Sequence, residues 1–349
     1  MYKHALVTGG AGFAGAALCL TLREQGCAER VTAFDNLKRR GSELNLARLR
    51  AGSVEFVHGD VRSLPDLQAV KPDSDLIVEC SAEPSAQAGY GGSPEYLVQT
   101  NLNGCFNTLE LARRSQADFV FLSTSRVYPY RALNALPFDE DETRFRVTGE
   151  WAGGITEQFP LEGARSLYGM TKLAAEYMVE EYSDAYGFRH LIDRFGVLTG
   201  PHQMAKADQG VIALWMAAHT YGRALSYIGF GGTGKQVRDF LHVDDFCELV
   251  VDQLRHFEKY RGARYNVGGG TVNSLSLRET TELCAEITGT RIGMGSSIDT
   301  RPADVRVYIT DYSRVAAVNG WRPRRDARTT LSDIHRWLLA GSDTLRAML

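Results

Sequence analysis

Thr8-Gly9-Gly10-Ala11-Gly12-Phe13-Ala14-Gly15 decides how the rest of the chain is read. Glycines 9, 12 and 15 fit the spacing GxxGxxG. The apolar run Ala5-Leu6-Val7 precedes them, and a helical pattern over 13–26 follows at once. Glycine lets a backbone turn this tightly from strand to helix and lets a pyrophosphate approach the positive end of that helix. A glycine triplet alone is a weak signal; here the flanking strand, the flanking helix and the N-terminal position agree. Twenty residues past Gly15, at the end of the run Val31-Thr32-Ala33-Phe34, stands Asp35. A carboxylate there accepts hydrogen bonds from an adenosine ribose and repels the 2′-phosphate of NADP. Lys38, Arg39 and Arg40 follow and could counter that repulsion, so the balance favours NAD. Asp60-Val61, after a third apolar run, is placed to hold the adenine edge. The competing reading is a structural turn with a surface acid.

Outward from that turn, short apolar runs alternate with longer helical patterns. Val54-Glu55-Phe56-Val57, Leu76-Ile77-Val78 and Phe119-Val120-Phe121-Leu122 continue the series, with a helical stretch over 94–115. Such alternation predicts an α/β fold, a Rossmann-type doubly wound parallel sheet with helices on both faces. After residue 200 the pattern loosens, and a smaller C-terminal α/β substrate lobe is predicted. Helices are expected near 209–222, 242–258, 275–287 and 329–340, with Ser274 capping the third. Residues 229–234 read as a glycine-rich surface turn, and 131–165 as a long loop over the site. The expected division is 1–200 for the dinucleotide-binding domain with the catalytic residues, and 201–349 mainly for the substrate lobe, with some return strands to the sheet.

Composition excludes other classes. The 349 residues are 44% hydrophobic and 23% charged, a globular balance. A net charge of −3 gives no general case for nucleic acid or an anionic membrane. No apolar run approaches the ~20 residues of a membrane span, and Met1-Tyr2-Lys3-His4 lacks a signal-peptide layout. Cysteines 19, 27, 80, 105, 247 and 284 form no CxxC pair, so they read as reduced thiols of a cytoplasmic protein, with no metal site.

Tyr168 and Lys172 are four apart in a helical pattern that ends at Tyr186, so they share one helix face. An ammonium beside a phenol favours phenolate, which can take a proton from a sugar hydroxyl while hydride leaves the same carbon. Of fifteen tyrosines only Tyr168 has lysine at +4. A helix-surface pair is the bland alternative. Ser123-Thr124-Ser125-Arg126-Val127-Tyr128 ends the fifth apolar run, where open α/β sheets bind ligands. Thr124 is the hydroxyl chosen to bond the reacting oxygen; hydroxyls that merely tie off a strand end compete with that reading.

Together these residues resemble the extended short-chain dehydrogenase/reductase family, in its nucleotide-sugar epimerase and dehydratase branch. The order is matched along nearly the whole chain: Thr8–Gly15, Asp35, Asp60, Asn101, the strand end at Thr124–Tyr128, YxxxK at Tyr168–Lys172, and Arg238-Asp239. The resemblance implies Thr124, Tyr168 and Lys172 as the catalytic set, with Lys172 also on the nicotinamide ribose. It implies that NAD is held by Gly9, Gly12, Phe13, Ala14, Gly15, Asp35, Asn36, Asp60, Val61, Ser81, Ala82 and Asn101, with Tyr168 and Lys172. Some segments look most like CDP-tyvelose (CDP-paratose) 2-epimerases, among them Asp35-Asn36-Leu37, Asp208-Gln209-Gly210, Gly234–Asp239 and Val272–Leu277. Ser125, Arg126, Gln209, Arg238, Arg301 and Arg306 are then expected at the nucleotide sugar, with Arg238 and Arg306 as forks for its diphosphate. For either arginine a surface salt bridge is the alternative.

Three departures stand out. Relatives carry His-x-Ala-Ala/Gly where this chain has Glu79-Cys80-Ser81-Ala82, and Asn-Val-Tyr-Gly-Pro where it has Val197-Leu198-Thr199-Gly200-Pro201. Pro129 follows Tyr128 where glycine is usual. A 4,6-dehydratase needs an added acid and base just after the catalytic threonine; Ser125 and Arg126 stand there instead. The expected activity is therefore NAD-dependent epimerisation at C2 of a CDP-3,6-dideoxyhexose. The alternatives are a 4-epimerase of the UDP-glucose/galactose type and a non-catalytic nucleotide-sensing protein on the same fold. The resemblance also implies a homo-oligomer, a dimer or tetramer.

Overall fold

The short apolar runs become β1 (Tyr2–Thr8), β2 (Ala28–Asp35), β3 (Glu55–His58), β4 (Leu76–Glu79) and β5 (Asp118–Thr124). The computed structural model describes residues 1–70, 73–205, 209–341 and 345–346. These strands pair in parallel, β1 with β2 on one side and β4 on the other, β2 with β3, and β4 with β5. With His190–Phe195 and Arg264–Val267 beyond β5 they form a seven-stranded sheet. The strand order reverses between β1 and β4, so the loops leaving their carboxyl ends diverge and open a crevice there.

Burial on both faces explains the unbroken apolar character of the strands. Leu76, Ile77, Val78 and even Glu79 of β4 are buried. Leu6, Phe34, Ile77, Leu109, Phe119, Phe121 and Val179 share one core cluster. Each such side chain contributes roughly 1.5–3 kcal/mol on full burial.

The chain forms two compact units, 1–127 with 167–194 and 246–265, and 128–166 with 195–245 and 266–349. In the second unit Val237–His242 pairs with Ser274–Ser276, Val307–Tyr308 and Val197–Thr199. Helices Val211–Tyr221, Leu277–Thr288 and Ala327–Ala340 bury Trp215, Met216, Cys284, Leu331 and Ile334 together.

Several elements differ from expectation. Residues 131–165 are not a structureless loop. Helix Tyr130–Asn134 and the antiparallel pair Phe138–Glu140 with Phe145–Val147 occupy much of that stretch. Long-range bonds hold it in the second unit: Phe145 N–H donates to Lys235 O (2.9 Å), and Asn266 Nδ2 to Ile155 O (2.9 Å). Ser276, not Ser274, caps helix Leu277–Thr288. It forms a capping box with Glu279, whose carboxylate reaches back to the Ser276 N–H. The stretch 94–115 is helical but widens to a π-type turn over Gln99–Asn103. The helix expected over 242–258 ends at Arg255, and a short one follows at Phe257–Tyr260.

Candidate cofactor and catalytic site

Gly9, just after β1, has φ +62°, and a Cβ there would lie 2.9 Å from Ser81 Cα and N. The missing side chain is what lets the loop after β4 close against the loop after β1. A Cβ on Gly15 would meet the Gly9 carbonyl oxygen at 2.2 Å, so Gly15 lets helix α1 (Phe13–Glu24) start against the turn. Gly12 is the N-cap of α1 and supplies no side-chain bond to the first turn. First-turn N–H groups with no capping side chain, at the positive end of a helix and bordered by half-buried Phe13 and Ala14, fit a pyrophosphate.

Asp35 is buried at the end of β2. Its Oδ2 accepts from Ala11 N–H (3.1 Å) and its Oδ1 from Leu37 N–H (2.7 Å). Burial raises its carboxyl above the usual range, against the pull of those N–H groups. A carboxylate has about four acceptor positions; the N–H groups of Ala11, Gly12 and Leu37 take three, which leaves one for a ribose hydroxyl. Asp60 is already engaged, by Arg62 through both oxygens (2.9 and 2.7 Å) and by Asn36 Nδ2 (2.9 Å). The Arg62 bonds chiefly hold its carboxyl down at about 2. Lys38 Nζ lies 4.4 Å over the Tyr96 ring.

Asn101 sits in the π-type turn, a feature common at functional sites. It accepts from Glu83 N–H (2.7 Å) and donates to Glu83 O and Thr171 Oγ1 (3.2 Å each). It thus ties the loop after β4 to the residue beside Lys172. Ser81 and Ala82 are half-buried in that loop, and Ser81 N–H reaches Thr8 Oγ1 at 3.4 Å.

Thr124 closes β5, and Tyr168 and Lys172 lie in helix Leu167–Tyr186. A Cβ on Gly169 would lie 2.0 Å from the Arg126 carbonyl oxygen, so this glycine lets the helix touch the turn Ser125–Val127. That contact brings Tyr168 into a side-chain hydrogen bond with Thr124. The expected direction of the phenol's pKa is reversed. Burial raises it, the Thr124 bond and the Arg126 charge oppose, and Glu83 adds to the rise. Lys172 shares the helix face but is 2% exposed, with Nζ centred 3.8 Å over the Phe121 ring. Its ammonium is therefore turned to the sheet. Burial lowers its pKa against the pull of Cys105, Glu79, Glu176 and Cys80.

In the second unit Arg238 bonds Asp304 Oδ1 (2.9 Å), Val305 O and Val237 O (2.7 Å), so its fork is spent on its own fold. Arg306 is different. Its Nη1 donates to Asn134 O (3.1 Å) and its guanidinium lies 4.0 Å over Phe138 and 5.6 Å over Phe230. Among the described residues no carboxylate forms a salt bridge with it, and burial lowers its pKa. Gln209 Oε1 is buried without a hydrogen-bond partner. Arg301 is half-buried, and Asp208 lies outside the described residues.

Sequence reasoning missed the support beneath the helix. Glu176, one turn past Lys172, is fully buried with Arg194 (3.0 Å at Nε, 2.6 Å at Nη2) and accepts from Ser123 Oγ. The only signal was a further i+4 step on the Tyr168–Lys172 face. Five of the six cysteines are buried and free, and Cys80 is half-buried. Among the described residues no helix is long and apolar enough to cross a membrane.

Residues 5–268 match the NAD dependent epimerase/dehydratase family. The chain is 30% identical over 341 residues to the CDP-paratose 2-epimerase of Salmonella typhi, covering 95% of this chain and 98% of that protein. It is 29% identical over 327 residues to the dTDP-glucose 4,6-dehydratase of Streptomyces antibioticus, covering 92% and 88%. In fold it is similar to the UDP-glucuronic acid 4-epimerase of Bacillus cereus, solved with UDP-glucuronic acid and NAD (TM-score 0.81, 21% identity, 97% of this chain and 99% of that one).

Proposed function

The chain belongs to the NAD dependent epimerase/dehydratase family, and we propose that it inverts one hydroxyl-bearing carbon of a nucleotide-bound sugar, C4 of a UDP-hexose. It is an NAD-dependent enzyme of nucleotide-sugar epimerisation or dehydration. The observation that carries the epimerase reading is the hydrogen bond between Thr124 and Tyr168 at the carboxyl end of β5, with no carboxylate in the turn that follows.

Tyr168 takes the proton of the reacting hydroxyl as phenolate and later returns it. Thr124 holds the same oxygen, and Lys172 binds the nicotinamide ribose. The cofactor that Gly9–Gly15, Asp35 and Lys172 would hold would supply a hydride acceptor in its oxidised form and a hydride donor in its reduced form. Gly9, Gly12 and Gly15 leave room for the pyrophosphate, and Asp35 accepts from the adenosine ribose. The first unit thus serves cofactor and chemistry, and the second the nucleotide sugar. There Arg306 is the better diphosphate fork, because Arg238 is held by Asp304. The exposed rings of Phe106, Tyr177 and Tyr186 support a homo-oligomer.

Dehydration is disfavoured because Ser125 and Arg126 offer neither the acid nor the base that water elimination needs. C4 is placed first because a protein of the same fold is named a UDP-glucuronic acid 4-epimerase. C2 of a CDP-3,6-dideoxyhexose is the second reading, favoured by the relative named CDP-paratose 2-epimerase. The same three residues serve either carbon. Proton NMR of the NAD-loaded protein with UDP-hexoses and CDP-3,6-dideoxyhexoses assigns the inverted carbon. Tyr168→Phe is expected to keep NAD and lose turnover; near-normal turnover would remove Tyr168 as the proton carrier.

A further inference from the structure

Glu79 has no part in the mechanism above, yet it is the last residue of β4, 1% exposed, beside the crevice. Its Oε1 accepts from Ser81 Oγ, and its Oε2 lacks a well-formed hydrogen bond. Sheet register places it. β4 and β5 pair Glu79 with Phe121, and β1 and β4 pair Thr8 with Glu79. Paired residues of a parallel sheet project to the same face, about 4.8 Å apart. Lys172 Nζ lies 3.8 Å over that Phe121 ring. The Glu79 carboxyl and the Lys172 amine are therefore neighbours on one buried face.

A buried ammonium with no countercharge gives up its proton. The ionisable groups that act most on the Lys172 charge are Cys105 from helix Gly104–Ser115, Glu79 and Cys80 from β4 and its loop, and Glu176 from its own helix. Burial drives the Cys80 and Cys105 thiols up, so they stay neutral. Glu176 is committed to Arg194. Burial raises the Glu79 carboxyl, against the pull of Ser81, Thr108, Lys172 and Thr8, of which Lys172 alone is ionisable.

We propose that Glu79 is a positioning residue for proton transfer, its carboxylate holding Lys172 as an ammonium one turn from Tyr168 on the same helix face. The inference rests on the reading of Tyr168 as the proton carrier. Glu79→Gln keeps the shape and removes the charge. If Lys172 then turns neutral, the phenol loses the positive charge on its own helix face and becomes harder to ionise. Were Lys172 to keep its charge, loss of the Glu79 anion would make ionisation easier, so the sign of the shift decides.

The test is the ultraviolet phenolate absorbance of the NAD-loaded protein against pH, with Tyr168→Phe subtracted to isolate Tyr168. Glu79→Gln is expected to raise the midpoint by about one pH unit, about tenfold less phenolate at a given pH below it. Glu79→Asp is expected to restore most of the shift. An unchanged or lowered midpoint in folded Glu79→Gln overturns the inference and leaves the role of Tyr168 intact. A wild-type titration with no Tyr168 transition overturns the parent reading and this one with it. Should Glu79→Gln fail to fold, the Lys172 Nζ resonance of the wild-type protein, assigned with Lys172→Met, decides the matter. An ammonium at neutral pH is expected, and a neutral amine overturns the proposal.

Discussion

Gly169→Ala is a mild change in most helices and a severe one here. The added methyl would stand 2.0 Å from the Arg126 carbonyl oxygen and 2.8 Å from its carbon. A carbon–oxygen contact needs about 3 Å or more, so helix Leu167–Tyr186 and the turn after β5 must part by about 1 Å. Tyr168 is the residue before this glycine, and Thr124 lies two before Arg126, so the gap opens where they share their hydrogen bond. Overpacking costs about 1–3 kcal/mol, and alanine in place of a helical glycine returns about 1 kcal/mol. The net loss of stability is about 0–2 kcal/mol, a few degrees in Tm. A ~1 Å misplacement of reacting groups costs about a hundredfold in rate. Turnover on the assigned sugar, calorimetric Tm and NAD titration by protein fluorescence should therefore diverge. kcat is expected to fall about a hundredfold while fold and NAD affinity persist. A folded variant within about threefold of wild-type kcat would refute the claim that this contact sets the catalytic geometry.

Other perturbations follow the same reasoning. Glu176→Gln removes the carboxylate from Arg194, 1% exposed, and urea unfolding should show a loss of about 3–5 kcal/mol. A loss under about 1 kcal/mol would mean the pair adds little. Asp193 is buried, and burial raises its carboxyl from 3.8 to about 7. The folded chain then holds that proton more tightly than the unfolded one. The resulting stability is complete below about pH 4 and is lost as pH rises to about 7, up to about 4 kcal/mol. Asp193→Asn should flatten unfolding free energy across that window and exceed wild type above it; an unchanged slope would contradict the assignment. Gly9→Ala forces a methyl onto a φ of +62°, 2.9 Å from Ser81, and should raise the Kd for NAD at least tenfold. Unaltered binding by calorimetry would count against the glycine turn as the pyrophosphate cradle.

The legible parts were local. The glycine turn, Asp35 twenty residues on, and the four-residue step from Tyr168 to Lys172 each fit within one strand–helix unit. What depended on distant pairing was not legible. Lys172 reads as a partner for Tyr168 by spacing, but its ammonium lies over Phe121, which strand register sets beside Glu79. Arg238 reads as a free fork until Asp304, sixty-six residues away, closes on it. The short helix and paired strands inside 131–165 draw on backbone partners such as Lys235 rather than on their own periodicity. The cap at Ser276 was readable, since Glu279 stands three residues on and completes a capping box that Ser274 lacks.

The central claim is oxidation and return of hydride at one carbon, with no net redox change. Its most direct test is turnover in D₂O, followed by proton NMR on the sugar that the protein accepts. Inversion is expected with the original hydrogen kept at the inverted carbon, no solvent deuterium there, and no reduced cofactor released. Deuterium at that carbon, or NADH accumulating with turnover, would contradict it.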